Sequence, residues 1–475
     1  MVRTTSSGLG PSRRALANIR RNLMMDLSRE VERYTPYDQD HPQGLLDITS
    51  SINTLMRNEM SSFVSKLPRD KTQEYGSVAG SLALTRAVAA LVNDHFAPTE
   101  PVDSACIMGT NGVTALLDIV SFAACDAGEA IMYTTPAYGM FHPDLTSRNG
   151  IRVVEVPCEE DFDQFTADNS DALIKRLEAA YQRASKAGIT VRAMLLCNPC
   201  NPLGRCYSRT TLAKLAAFCG RHQLHLISDE IYALSVTPAE SMLDGFTSVL
   251  SLDRETGLDP RGVHVLYGAS KDWGLGGLRL GFLITRSAVF KEACRRLGMF
   301  TWISSYSDVV FSAVASDCSF VTKYLKTYRQ KLRESRETAT QFLDRHRIPY
   351  RPANAGVFLW IELSKWTPLI DGCGTSEESN EVRLTKYLIK EGVYLEPGEA
   401  FFSPTPGKFR LVYSMDTETL CVGLNRLIDA LKKLEKSKGT GDGDLSDEDE
   451  AELKGKGPPP ENLRSRRLEQ FLCFR

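Results

Sequence analysis

The chain has 475 residues, 42% of them hydrophobic, and a formal net charge of -2. That length and apolar content allow two packed domains and exclude wholesale disorder, while near-neutrality removes any general drive toward nucleic acid or an anionic membrane. No apolar run approaches the roughly eighteen residues that a membrane-spanning helix needs, so no membrane partner is expected.

Residues 1–33 read as a basic, partly helical arm, with Arg3, Arg13, Arg14, Arg20 and Arg21 ahead of the first acid, Asp26. The arm lacks the continuous apolar stretch of a secretory signal. An ordinary arm on a cytoplasmic protein is expected, and a mitochondrial transit peptide is the alternative reading. The 12 cysteines show no repeating frame and read as reduced thiols. Cys197-Asn198-Pro199-Cys200 has zinc-like spacing, but His222 and His225 do not complete a ligand frame, so no metal is expected.

Residues 34–80 read as a segment joining a smaller domain. From 81 to 305 short apolar runs alternate with helical patterns. The runs are Cys106–Met108, Ala130–Tyr133, Val153–Val156, Met194–Cys197, Leu224–Ile227 and Val263–Tyr267. The helical stretches include 113–126, 170–186 and 208–221. This alternation predicts an α/β domain: a mostly parallel sheet covered by helices on both faces, with functional residues on the loops after the strands' carboxyl ends. Residues 306–436 read as a smaller α+β domain, helical to about 345, with strands at 356–361 and 409–413 and helices at 377–391 and 416–435. Residues 437–475 are glycine-rich, acidic and then proline-rich, and read as a disordered tail.

One stretch carries the chemistry. Ser270-Lys271-Asp272-Trp273-Gly274-Leu275-Gly276-Gly277-Leu278-Arg279-Leu280-Gly281 follows the Val263–Tyr267 run. A strand-end lysine beside a glycine-rich turn can form a Schiff base with an aldehyde cofactor, and an arginine eight residues on can hold that cofactor's phosphate. Phe282 stands where a P-loop needs lysine, and Arg279 takes the third glycine's place in a dinucleotide pattern.

Four further strand-end clusters supply matching parts. Asp229 in Ser228-Asp229-Glu230-Ile231-Tyr232 can keep a pyridine nitrogen protonated, and Tyr232 can donate to a ring phenolic oxygen. Asn201, in Asn198-Pro199-Cys200-Asn201-Pro202-Leu203-Gly204, can bond the same oxygen without carrying charge. Gly109-Thr110-Asn111-Gly112-Val113-Thr114 opens a helix, where backbone amides and a hydroxyl make a phosphate cradle. Tyr138, in Thr135-Pro136-Ala137-Tyr138, can stack on an aromatic ring. Each cluster alone has an ordinary reading as a turn, a cap or a packed side chain; their joint occurrence is what counts.

Together these motifs resemble the fold-type-I pyridoxal phosphate enzymes, the class I/II aminotransferases, and within them the 1-aminocyclopropane-1-carboxylate (ACC) synthase-like branch. The resemblance runs from about residue 35 to 435. It implies pyridoxal phosphate as cofactor and Lys271 as the Schiff-base lysine and proton shuttle. It implies Asp229 at the pyridine nitrogen, Asn201 and Tyr232 at the phenolic oxygen, and Tyr138 on the ring. Arg279, Val113 and Thr114 would hold the phosphate, and Arg410 the substrate's α-carboxylate. Tyr75 matches a tyrosine that reaches the phosphate of a neighbouring subunit, which implies a homodimer.

Two positions depart from the pattern. Gly268 stands where many relatives carry a phosphate-binding hydroxyl, and Ile52 stands where ACC synthases carry a glutamate just before an asparagine. The resemblance therefore implies an aminotransferase-type enzyme acting at an amino acid's α-carbon, without ACC synthase activity. A carbon–sulfur β-lyase of toxin metabolism is the runner-up. A non-catalytic scaffold is the alternative from another class, and it would need neither Lys271 nor Arg410.

Overall fold

The structure is a computed structural model that describes residue 18 and residues 22–67, 72–159, 161–237, 244–252, 256–370 and 378–438. The expected tail from 439 onward and most of the basic arm lie outside the described residues. The arm's described part forms a helix, Leu23–Val31, capped by Asn22, whose side chain accepts from the Met25 amide at 3.0 Å.

A two-residue strand, β1 (Leu46–Asp47), precedes the main sheet. That sheet comprises β2 (Ile107–Thr110), β3 (Ala130–Thr135), β4 (Arg152–Pro157), β5 (Val191–Cys197), β6 (His225–Asp229), β7 (Val263–Gly268) and β8 (Gly281–Thr285), in the order β2-β8-β7-β6-β5-β3-β4. Only β8 pairs antiparallel, with both of its neighbours. The expected mostly parallel sheet is observed.

Its strands are nearly continuous apolar runs because both faces are covered. Successive side chains enter different cores: Ile131, Ala193, Leu195, Ile227 and Leu283 pack on one side, and Met132, Met194, Leu196, Leu226 and Phe282 on the other. The flanking helices follow the expected spans closely. Ser170–Lys186 buries Leu173, Leu177, Ala180 and Ala184, a stripe at helical spacing. Arg209–His222 is capped by Ser208, which accepts from the Thr211 amide at 3.0 Å, and ends where Gln223 turns left-handed at φ 54°.

The smaller α+β domain is built on an antiparallel sheet ordered β11-β12-β9, from β9 (Phe358–Glu362), β11 (Glu396–Pro397) and β12 (Lys408–Val412). Strand β10 (Val393–Tyr394) pairs in parallel with β1, which ties the N-terminal segment to this domain. The helical region after 305 is two helices, Ser305–Ser316 and Cys318–Arg345, because Asp317 breaks the run and caps the second through the Phe320 amide at 2.9 Å. The first packs on Leu82–Phe96, where Asp308 accepts from the Ser81 amide at 2.7 Å. Nine described cysteines are free thiols, whereas Cys421 is disulfide-bonded, against the expectation of reduced cysteines throughout. No helix among the described residues is long and apolar enough to cross a membrane.

Candidate active site

The loops after the carboxyl ends of β2, β3, β5, β6 and β7 converge on a cavity of about 430 Å³ whose other wall belongs to the smaller domain. Lys271 enters it from the turn after β7. That turn is pinned by the next residue, Asp272, which is fully buried and accepts from the Leu234 amide at 3.0 Å, the Ser235 hydroxyl at 2.5 Å and the Tyr267 hydroxyl at 3.0 Å. Three donors offset the cost of burying this carboxyl. Asn53 adds bonds to the carbonyls of Lys271 and Asp272 at 3.3 and 3.2 Å. The Lys271 ammonium donates to the Ser51 carbonyl at 2.8 Å. Burial, reinforced by the Arg410 and Arg279 charges, pushes the Lys271 amine down to about 8.

Asp229 lies at the end of β6, directly across from Cys197 at the end of β5. Its Oδ1 accepts from the Ile231 amide at 3.2 Å. Burial pushes its carboxyl up to about 7, against the pull of the Lys271 charge. Tyr232 is buried, and its ring centroid is 6.0 Å from the Lys271 Nζ. Tyr138 lines the same cavity and meets Phe141 edge-on at 5.4 Å.

Arg410 crosses from β12. Its Nη1 donates to Asn201 Oδ1 at 3.0 Å, and its Nη2 donates to the Thr49 carbonyl at 2.7 Å and to Glu396 Oε2 at 3.1 Å. Its Nε is buried without a partner. Segment 49–51 therefore serves two of the cavity's three cations, with Thr49 O on Arg410 and Ser51 O on Lys271. Asp47 shapes that segment by accepting from the amides of Thr49 and Ser50, each at 2.8 Å.

The cavity's third corner is an anion cradle. Helix Val113–Ala124 opens here without a side-chain cap, which leaves its first amides unbonded within the helix. Gly112 precedes it at φ 123°, and a Cβ there would lie 2.8 Å from Arg279 Nη2. Arg279 itself is left-handed at φ 49°. Gly281 must also be small, because a Cβ would come within 2.6 Å of the Gly112 backbone.

The sequence profile described as "Aminotransferase class I and II" matches residues 47–427. The chain belongs to this family. It is 31% identical over 421 residues to 1-aminocyclopropane-1-carboxylate synthase 3 of Oryza sativa subsp. japonica, covering 85% of this chain and 91% of that protein. It is 32% identical over 367 residues to the probable aminotransferase gliI of Aspergillus fumigatus, covering 76% and 82%. In fold it is similar to a Thermus thermophilus aspartate aminotransferase double mutant, with a TM-score of 0.70 at 20% identity over 89% of this chain and 100% of that one.

The family depends on pyridoxal phosphate, and the residues present fit it. Lys271 would meet the aldehyde, and the buried acid Asp229 would face the ring nitrogen. Arg279, the uncapped helix start and the Cβ-free space at Gly112 would receive the phosphate.

Lys271, Asp229, Tyr232, Asn201, Tyr138, Val113, Thr114, Arg279, Arg410 and Ile52 all line the one cavity. Tyr75 does not: it is 94% exposed and packs on Trp302 at 5.6 Å. The departure at Gly268 has a steric reason, since a Cβ there would lie 2.7 Å from the Leu280 carbonyl oxygen, leaving no room for a hydroxyl side chain. Ser270 lines the cavity nearby. The cysteine and histidine positions with zinc-like spacing do not converge: His222 pairs with Glu178 at 2.9 Å, and His225 with His264 at 2.9 Å. Sequence reasoning missed Glu396, the Thr49 and Ser51 carbonyls, and Met24 and Ser28, which line the cavity from helix Leu23–Val31. Only the strand register across from Arg410 singles out Glu396.

In cofactor-free enzyme, the rate of Lys271 modification by trinitrobenzenesulfonate should be half-maximal near pH 8. Exposed lysines should reach that point only near pH 10.4. Peptide mapping at each pH separates the two classes, and a Lys271 midpoint at or above about 10 would contradict the geometry.

Proposed function

We propose that this enzyme transaminates an α-amino acid. The observation that carries the reading is that Lys271 and Arg410 enter one cavity from different domains, both bonded to segment 49–51. A carboxylate clamp fixed relative to a strand-end amine is what work at an α-carbon requires.

Bound pyridoxal phosphate supplies an aldehyde for the amine and an electron sink for charge developing at the α-carbon. Arg410 holds the α-carboxylate and so orients the α-carbon's hydrogen toward Lys271. The Lys271 amine, neutral over part of the physiological range because its pKa is low, takes that proton and can return it elsewhere. Asp229 holds a proton at the ring nitrogen. Tyr232 donates to the ring's phenolic oxygen. Asn201 has its Oδ1 on Arg410, which leaves its amide hydrogens for that same oxygen. Tyr138 stacks on the ring, and Arg279 with the amides of Val113 and Thr114 and the Thr114 hydroxyl holds the phosphate.

Holoenzyme given a panel of amino acids and cysteine conjugates should release keto acids and accumulate aminated cofactor. Pyruvate, ammonia and a thiol from the conjugates would instead mark a carbon–sulfur β-lyase and sink the transamination reading. Asp229→Asn should keep the cofactor while turnover falls on the order of a hundredfold or more; near-normal turnover would exclude the role given to Asp229.

A homodimer is part of the proposal. Tyr75, Leu82, Met299, Phe300 and Tyr306 are exposed apolar residues on two segments that meet, as the Tyr75–Trp302 contact shows. Exposed apolar side chains of this kind suit burial against a second copy, and Tyr75 would then serve the partner's phosphate. A mixture of Lys271→Ala and Tyr75→Phe subunits should regain activity, since one site of each heterodimer holds both residues. No recovery, with heterodimers present and each variant inactive alone, would argue against a shared site.

No appreciable ACC formation from S-adenosylmethionine is expected. Ring closure needs the γ-sulfonium held against the α-carbon, and Ile52, 58% exposed and lining the cavity, offers it neither charge nor an acceptor. Robust ACC production by the wild type would falsify this, and activity appearing only in Ile52→Glu would support it.

A further inference from the structure

Glu396 has no part in the chemistry above, yet it is the acid bonded to the proposed carboxylate clamp. It is cross-strand partner to Arg410 in the β11–β12 pair, and both side chains are at most 5% exposed. A carboxylate can grip a guanidinium in two bidentate ways: end-on through Nη1 and Nη2, or side-on through Nε and Nη2. Both use Nη2. The two hydrogens of Nη2 already have two acceptors, the Thr49 carbonyl at 2.7 Å and Glu396 Oε2 at 3.1 Å. A substrate carboxylate must therefore displace one of them. The Thr49 carbonyl is held by the Asp47 turn, so Glu396 is the group that can yield. While Glu396 is ionised it also cancels the charge of Arg410, and an entering carboxylate meets a neutral pair and a like charge.

We propose that Glu396 competes with the substrate's α-carboxylate for Arg410 Nη2, so that the carboxylate binds only when Glu396 has taken a proton from solvent. The inference rests on Arg410 as the carboxylate clamp. The titratable groups facing Glu396 are Arg410 on β12, Tyr394 on β10 with its hydroxyl 3.5 Å from Oε1, Asp47 on β1, and Tyr138 from the loop after β3. Burial pushes the Glu396 carboxyl up to about 7; Asp47 acts in the same direction and Arg410 opposes it. The acid form is thus within reach near neutral pH, and it can turn its oxygen away from Arg410 without leaving a buried charge unpaired.

The test is calorimetric titration of holoenzyme between pH 6 and 9 with straight-chain carboxylates from propionate to hexanoate, which carry no amine. For wild type, Kd should rise toward about tenfold per pH unit above pH 7, and buffers of different ionisation enthalpy at pH 8 should report about one proton taken up per carboxylate bound. In Glu396→Gln, or Glu396→Ala should the first variant not fold, Kd should change less than about twofold across that range and the uptake should vanish. A wild-type slope retained in either variant, or no proton uptake by the wild type, overturns the inference. Arg410→Lys should lose binding at every pH. Wild-type-like binding by that variant, or no carboxylate binding by the wild type even at pH 6, would mean that the clamp assignment itself has failed.

Discussion

A buried guanidinium must find oxygen partners, and Arg410 finds them on three separate parts of the chain. Asn201 comes from the loop after β5, Thr49 from the N-terminal segment, and Glu396 from the neighbouring strand. A buried donor on a charged group left without any acceptor costs about 1–3 kcal/mol or more, so a partner can leave only where another acceptor takes its place. The positions of segment 49–51 and of the smaller domain against the main sheet follow from that requirement. Once segment 49–51 is in place, its Ser51 carbonyl also receives Lys271. One desolvated cation thereby sets the spacing between the group proposed to hold a substrate and the group proposed to act on it.

The opposite wall obeys a steric constraint. Gly112 and Gly281 let the start of helix Val113–Ala124, strand β8 and Arg279 crowd together, and the helix's free amides then share a corner with a guanidinium. Asp272 plays the corresponding part for Lys271: it uses three donors, two from the loop after β6 and one from β7, to fix a turn that would otherwise be a glycine-rich loop.

Much of this was legible in the sequence. Asp229, Asn201, Tyr138 and Lys271 each follow directly on an apolar run, and in a parallel sheet strand ends share one edge, so their convergence follows from order alone. The main-sheet strands were readable because burial on both faces makes them continuous apolar runs. Glu396 was not readable, since Glu396-Pro397-Gly398 looks like any turn, and its meeting with Arg410 depends on an antiparallel register across an intervening loop. The Thr49 and Ser51 contributions are backbone carbonyls, which side-chain identity does not announce. The break at Asp317 went unseen because an acid there is equally at home inside a charged helix or at its cap.

Lys271 and Arg279 both sit on the single short connection between β7 and β8, two strands directly paired with each other. The span between the two ends of a bound cofactor is thus set by covalent chain and sheet hydrogen bonds within one body. Arg410 lies on a strand of the other sheet, so its distance from that seat is set instead by its side-chain bonds to Asn201 and to segment 49–51.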